Sequence, residues 1–471
     1  MVSRRNFLCS AATGAIAMAL PQALFSKTKA TDKPNIILCM ADDMGWGDPG
    51  FNGNIIIKTP NLDAMAKAAM RFTRFYSGAP VCSPTRGSCL TGRHPYRYGI
   101  FSANVGHIRR EEITLAEALK TQGYTTGHFG KWHLGTLLPD YSGKGPRRKP
   151  KENYMTPAMS GFDEWFSTEY AVATWDPYNP ALFHGKKKEY DVRALYWHNG
   201  KNITERLKED DSRIIMDRAA PFIHKAAKNK KPFLAVIWFH APHAPVVAGS
   251  EYKKKYSQYS EDEQHYYGCI TALDEQVGRL RSQLRELGIA DNTMFWFCSD
   301  NGPEGKDGKQ GHHRGSAGPF RGRKRSLFEG GVRVPALLEW PDRIKAGQIT
   351  DIPCSTSDYF PTVLDVLGFK MKGQPEPIDG ISLLPLIEGK MIRRPVPIGF
   401  ESKNQVSLTD NRYKIYSSNK GKTYTLFDLI EDPGETKDLA AEKPQILQSM
   451  KTTLVKWRKS CQESLAGKDY K

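Results

Sequence analysis

Cysteine is scarce in this chain, with eight residues in 471 and no CxxC pair among them. That pattern excludes a disulfide framework and gives no reason to expect a zinc site. Cys39 and Cys298 sit inside apolar runs and read as core thiols. Among Cys82, Cys89, Cys269, Cys354 and Cys461 there is room for one disulfide. Acidic residues are also in deficit, 51 Asp+Glu against 68 Lys+Arg, for a net charge of +17. A protein this basic attracts polyanions, and charge alone does not choose between nucleic acid, anionic membrane surfaces and sulfated or phosphorylated polymers. Internal repeats and low-complexity tracts are missing as well. With 39% hydrophobic and 25% charged residues, what remains is a globular protein with a large domain and a smaller appendage.

The long apolar run of a membrane anchor is missing too. Met1 to Phe25 pairs Arg4 with Arg5 ahead of an Ala-rich apolar stretch, followed by polar Ser26 to Ala30. Residues 1–30 read as a removable export signal of the bacterial twin-arginine type, too short and too rich in small residues to anchor the chain. The expected location is therefore periplasmic or secreted, without stable membrane insertion. Removal at about Ala30 takes away Arg4, Arg5, Lys27 and Lys29 and no acid, lowering the charge of +17 by four to +13.

What is present is a series of short apolar runs that end in polar residues. Pro34–Met40 ends at Asp42-Asp43, and Thr293–Cys298 ends at Ser299-Asp300-Asn301-Gly302. Pro232–Phe239 ends at His240-Ala-Pro-His243, and the weaker Gly123–Phe129 at Gly130-Lys131-Trp132-His133. These read as buried strands, with helical patterns at Leu115–Thr121 and Tyr266–Leu287 between them. Alternation of this kind predicts an α/β sheet whose C-terminal strand edge gathers the ligand groups. Residues 140–210 read as long loops over that edge. An amphipathic helix is expected at Asp358–Leu367. Beyond about residue 395, strands at Pro397–Glu401 and Arg412–Tyr416 and a helix at Pro444–Glu463 predict a small C-terminal subdomain. The expected divisions are 31–395 and 396–471.

Asp42, Asp43, Asp300 and Asn301 are hard oxygen donors, a set that suits Ca²⁺ or Mg²⁺ rather than zinc. Singly, each has an ordinary alternative: Asp-Asp after a strand caps or turns, and Asp-Asn-Gly is a common turn. Lys131, His133 and His243 alone could equally be surface or satisfied core groups. Their joint placement at strand ends is what points to a site.

The stretch Cys82-Ser-Pro-Thr-Arg86, continued by Gly87-Ser-Cys-Leu-Thr-Gly-Arg93, resembles the signature of the formylglycine-dependent type I sulfatases. The resemblance extends in order through Pro34…Asp42-Asp43, Gly130-Lys131-Trp-His133, Pro242-His243-Ala-Pro, Ser299-Asp300-Asn301-Gly302 and Lys324…Glu329-Gly-Gly-Val-Arg333, over roughly 300 residues. It implies an α/β fold, an alkaline-phosphatase-like sandwich with a large mixed sheet flanked by helices and a smaller C-terminal α+β subdomain. It also implies that Cys82 is oxidised by a formylglycine-generating maturation enzyme to Cα-formylglycine. In the family one hydroxyl of the hydrated aldehyde attacks sulfur, and the second expels sulfate as the aldehyde re-forms, a step a plain serine cannot make.

By matched position, the resemblance implies Ca²⁺ or Mg²⁺ held by Asp42, Asp43, Asp300 and Asn301, with the modified Cys82 beside it. Arg86 and Lys131 would hold the hydrate, His133 would take the hydroxyl proton that drives sulfate release, Lys324 would grip the sulfate oxygens, and His243 would protonate the leaving alcohol. The sugar-reading residues are expected on variable loops: His107, Arg109, Trp175, His312, His313 and Arg314. Such loops are polar in any case, so a merely solvated role stays open for these six. Export, basic charge and these loops together favour a sulfated carbohydrate, an algal galactan such as carrageenan or a glycosaminoglycan fragment, over a small aryl sulfate, and no nucleic-acid partner is expected. Two alternatives remain: a broad arylsulfatase, and a phosphonate or phosphodiester hydrolase of the same superfamily. A third, a polyanion-binding protein without catalysis, would lack a nucleophile or a ligand, and none is missing here.

Overall fold

The computed structural model describes residues 33–179, 191–305 and 315–470. Its main sheet is built from β1 (Asn35–Ala41), β2 (Met70–Tyr76), β3 (Thr125–Lys131), β4 (Glu164–Thr168), β5 (Trp197–His198), β6 (Lys201–Asn202), β7 (Phe233–Trp238), β8 (Thr293–Ser299), β9 (Arg333–Glu339), β10 (Gln348–Thr350) and β11 (Cys354–Ser355). The order across the sheet is β10-β2-β9-β8-β1-β7-β3-β4-β5-β6, with β11 also on β2. At its centre β8, β1, β7, β3 and β4 run parallel, and β9 turns antiparallel between β8 and β2.

The apolar runs form central strands because both sheet faces are covered. In β1, Ile36, Leu38 and Met40 face one core with Trp238 and Trp296, while Ile37, Cys39 and Ala41 face another with Phe129 and Ile215. A strand buried on both sides has no polar face, so its sequence reads as a continuous apolar run. The helices Asp211–Lys228 and Glu261–Glu286 cover the second face. The latter begins five residues earlier than its apolar periodicity suggests, because a capping box between Ser260 and Glu263 starts it in a polar, exposed segment.

The segment 140–210, expected as loops, also contains β4, β5 and β6. β4 pairs in parallel with β3, Gly127 to Glu164 through Lys131 to Thr168, and extends the sheet edge that carries polar groups. A second, antiparallel sheet follows in the order β12 (Ile398–Ser402), β13 (Gln405–Thr409), β14 (Tyr413–Ser417), β15 (Thr425–Asp428), backed by the helix Pro444–Leu465 through Met450 and Leu454. Ile398 and Phe400 of β12 pack on Tyr76, Leu327 and Val332 of the main body. Below that contact Lys414 lies between Glu329 at 3.0 Å and Glu435 at 2.9 Å, all three without solvent exposure. The described residues form one compact unit.

Candidate active site

β1 and β8 are parallel neighbours in register, with Ala41 opposite Ser299. The residues that follow each strand therefore emerge side by side. Asp42, Asp43, Asp300 and Asn301 meet at this edge, each at most 2% exposed. Asp43 N–H donates to Asp300 Oδ1 at 3.1 Å, and Asn301 Nδ2 donates to Asp43 Oδ1 at 2.7 Å. β3 ends on Lys131, whose Nζ reaches Asp42 Oδ2 at 2.5 Å. Lys324, from the loop before β9, donates to Asp43 Oδ2 at 2.7 Å.

Cys82 is the first residue of the helix Cys82–Thr91, and Arg86 follows one turn later on the same face. Arg86 donates to Asp300 Oδ2 at 2.7 Å, lies 3.5 Å from Asp42 Oδ2 and packs over the Trp238 ring. Burial raises the Cys82 thiol above its ordinary pKa; Lys131 and Lys324 oppose this, and Asp42 and Asp300 add to it. Such a thiol is a poor thiolate nucleophile.

Three carboxylates in a dry site need positive charge. Burial, and then the charge of Asp42, pushes Asp300 up to about 7 despite Arg86. Burial would also raise Asp43, yet Lys324 and His243 hold it well below the usual carboxylate range. Asp42 Oδ1 and Asn301 Oδ1 are buried and make no protein hydrogen bond. One ligand atom each from Asp42, Cys82 and Asp300 can lie within 4.8 Å of the others, as can those from Asp42, Asp43 and His243. Free oxygen lone pairs on buried groups and short mutual distances fit a hard divalent cation.

His133 and His243 flank this floor. His133 Nε2–H donates to Asn104 Oδ1 at 2.9 Å while its Nδ1 is buried and unbonded. Burial, then Lys131 and Arg148, holds that imidazole well below its ordinary pKa. His243 Nδ1–H donates to Ala244 O at 2.6 Å, which turns Nε2 toward Asp43 Oδ2, 3.8 Å away. Partial burial, followed by Lys324, lowers its pKa to about 3. Asp43, Asn104, His133, Arg325 and Lys403 all have left-handed φ of 55° to 77°, five of the twelve such non-glycine residues among those described. Conformations of this cost gather where the fold holds a site in place.

The resulting pocket has a volume of about 380 Å³. Cys82, Lys131, His133, His243 and Lys324 line it, together with Asn104, Lys144, Tyr170, Arg325 and Lys403, which the sequence reading did not single out. Three residues expected on its wall are elsewhere. His107 Nδ1 bonds Asn153 Oδ1 at 3.1 Å, Arg109 donates to Leu465 O at 2.9 Å beside the Tyr470 ring, and Trp175 packs against Tyr252. His312, His313 and Arg314 lie outside the described residues.

Comparison with known proteins adds ancestry to this geometry. The family described as Sulfatase matches residues 34–369, well over half of the chain, and that described as N-sulphoglucosamine sulphohydrolase, C-terminal, matches residues 318–460. The chain is similar to N-acetylgalactosamine-6-sulfatase of Mus musculus, 33% identical over 402 residues, covering 82% of this chain and 72% of that protein. Steryl-sulfatase of Homo sapiens is 31% identical over 430 residues, covering 78% and 72%. Among solved structures, Ps i-CgsB in complex with k-i-k-neocarrahexaose superposes with a TM-score of 0.76 at 29% identity, covering 90% of this chain and 93% of that one.

Proposed function

The chain belongs to the sulfatase family of sulfuric ester hydrolases, and we propose that it is an exported enzyme that removes sulfate from a sulfated carbohydrate, a galactan such as carrageenan or a glycosaminoglycan fragment. The reaction is R–O–SO₃⁻ + H₂O → R–OH + SO₄²⁻ + H⁺. The observation that carries this reading is that Cys82, Lys131 and Lys324 line one pocket while Arg86 and the buried donors Asp42, Asp43, Asp300 and Asn301 are bonded together behind them. Relatives and structural neighbours that act on or bind carbohydrate support the substrate class.

Asp42, Asp43, Asp300 and Asn301 would hold Ca²⁺ or Mg²⁺, which when bound draws electron density from the sulfate oxygens. Cys82, once converted to formylglycine, supplies two geminal hydroxyls, one to take the sulfuryl group and one to release it. The chain's own residues do the rest. Arg86 and Lys131, anchored on Asp300 and Asp42, orient residue 82 without moving. Lys324, anchored on Asp43, faces the sulfate oxygens from the opposite side. His133, neutral with a free Nδ1, is the proton acceptor at residue 82. His243 presents Nε2 to the leaving oxygen; neutral at rest, it takes up a proton as the anionic ester arrives and passes it to the departing alcohol.

Export rests on the Arg4-Arg5 signal pattern of residues 1–30, which lie with Thr31 and Asp32 outside the described residues. Among the described residues no helix is long and apolar enough to cross a membrane. The divisions 31–395 and 396–471 stand as the proposed catalytic domain and C-terminal subdomain. A panel of p-nitrophenyl sulfate, p-nitrophenyl phosphate, sulfated galactan and sulfated glycosaminoglycan oligosaccharides tests the reading, with peptide mass spectrometry of residue 82. Turnover of sulfated sugar by protein about 18 Da lighter at Cys82 supports it. Preference for the phosphate ester, or full activity with an intact thiol, refutes it.

A further inference from the structure

The floor of the pocket balances its own charge: Lys131 pairs with Asp42, Arg86 with Asp300, Lys324 with Asp43, and at the rim Arg325 with Glu304. Two lysines on the wall are left over. Among the described residues neither Lys144 nor Lys403 makes an ion pair.

The loop or turn that carries each is held in place. The Lys144 ammonium lies 4.2 Å from the centre of the Tyr170 ring. Its loop is tied down by Ser142 Oγ donating to Glu169 Oε1 at 2.6 Å and by buried Arg148, which donates to Gly106 O at 2.7 Å and lies 3.4 Å from Glu169. At Gly143 the loop passes so close that a Cβ would stand 2.1 Å from Tyr170 Oη, so only glycine lets the lysine sit over that ring. Lys403 occupies the tight turn between β12 and β13 in a left-handed conformation, φ 55°, with its N–H donating to Tyr96 Oη at 2.9 Å. It reaches the pocket from the C-terminal sheet. Both lysines are solvent-exposed, and cations that line a ligand pocket without an ion-pair partner are matched by an anion on the ligand.

We propose that Lys144 and Lys403 form a second anion subsite, so that the preferred substrate carries, besides the scissile sulfate, a further sulfate or carboxylate on the same or the adjoining sugar. This rests on the sulfatase reading and deepens it.

The test separates binding from turnover. Dissociation constants are measured by calorimetry on a Cys82→Ala background for a monosulfated disaccharide, its disulfated analogue and a uronate-containing monosulfated analogue. Turnover of the same three, and of p-nitrophenyl sulfate, is measured with the matured enzyme. A charged hydrogen bond of ordinary strength corresponds to about tenfold in affinity. Lys144→Met should therefore cut the preference for a doubly charged ligand about tenfold, Lys403→Met by a similar factor, and Lys144→Arg should restore most of it. The preference should also shrink as salt is raised. The two doubly charged ligands report whether sulfate or carboxylate fits better. No preference over the monosulfated ligand, or a preference untouched by both methionine variants, overturns the subsite. Binding preference without any turnover would instead refute the sulfatase reading of the pocket and leave the subsite standing.

Discussion

Lys414→Met is the perturbation whose magnitude follows most directly from the structure. Lys414 is the cation between Glu329 and Glu435, at 3.0 and 2.9 Å, and nothing in the group touches water. One lysine cannot serve two carboxylates equally. Glu329, which also receives Tyr76 Oη at 2.9 Å and has Arg333 at 3.3 Å, is held low despite its burial, whereas burial pushes Glu435 up to about 7. Methionine keeps the length of the stem and removes the charge, so the folded protein must take up roughly one further proton. Holding a carboxyl of ordinary pKa 4.5 in the neutral form at pH 7 costs about 3 kcal/mol, at about 1.4 kcal/mol per pH unit. The sign follows from the raised folded pKa: the neutral acid costs little near pH 5 and progressively more as pH rises toward 7. The variant should therefore lose about 3 kcal/mol at pH 7 and less than about 1 kcal/mol at pH 5. With an unfolding entropy of about 2.1 cal/mol/K per residue for a unit of this size, the neutral-pH loss corresponds to a fall in Tm of about 3 °C. Urea unfolding at both pH values, with Lys414→Met/Glu329→Gln expected to recover most of the loss, is the assay. A loss that is equal at pH 5 and pH 7, or absent, refutes the charge argument. The cluster also underlies the sheet whose first turn delivers Lys403 to the pocket, so the preference for doubly charged ligands should weaken with it.

Two further outcomes test the site itself. Asp300→Ala should lower Ca²⁺ occupancy, measured by elemental analysis of the folded protein, together with activity, and no stoichiometric zinc should be found; normal occupancy and rate would show that Asp300 is not a ligand. His243→Ala should lose roughly 10²- to 10⁴-fold on a sulfated sugar and visibly less on p-nitrophenyl sulfate, whose leaving oxyanion needs little protonation; equal losses on both esters would leave His243 as a sulfate binder.

The separate pieces of the floor were legible in the sequence because each is local, although which strands lie side by side is set by the sheet. Asp42-Asp43 and Asp300-Asn301 each follow an apolar run, and two parallel strands in register must release such neighbours at one edge. Cys82 and Arg86 are one helical turn apart, so a single helix puts both on one face. The central strands were equally readable, since burial on both faces leaves an uninterrupted apolar signature. β4 was not: it has five residues of mixed polarity, and its place depends on pairing with β3.

The wall was decided by tertiary structure alone. Arg109 and Trp175 have the chemistry to bind a sugar, but Arg109 is taken up by the C-terminal segment at Leu465 and Tyr470, and Trp175 by Tyr252. Lys144 and Lys403 are ordinary lysines in polar stretches, separated by some 260 residues, and no local pattern marks them. Tyr170 beneath one and a docked hairpin behind the other bring them to the same pocket. A residue's type and its neighbours in sequence determine what it can do at a strand end or along a helix, where the backbone sets direction. On a loop the direction of a side chain is set by whatever the loop packs against, and that partner lies elsewhere in the chain.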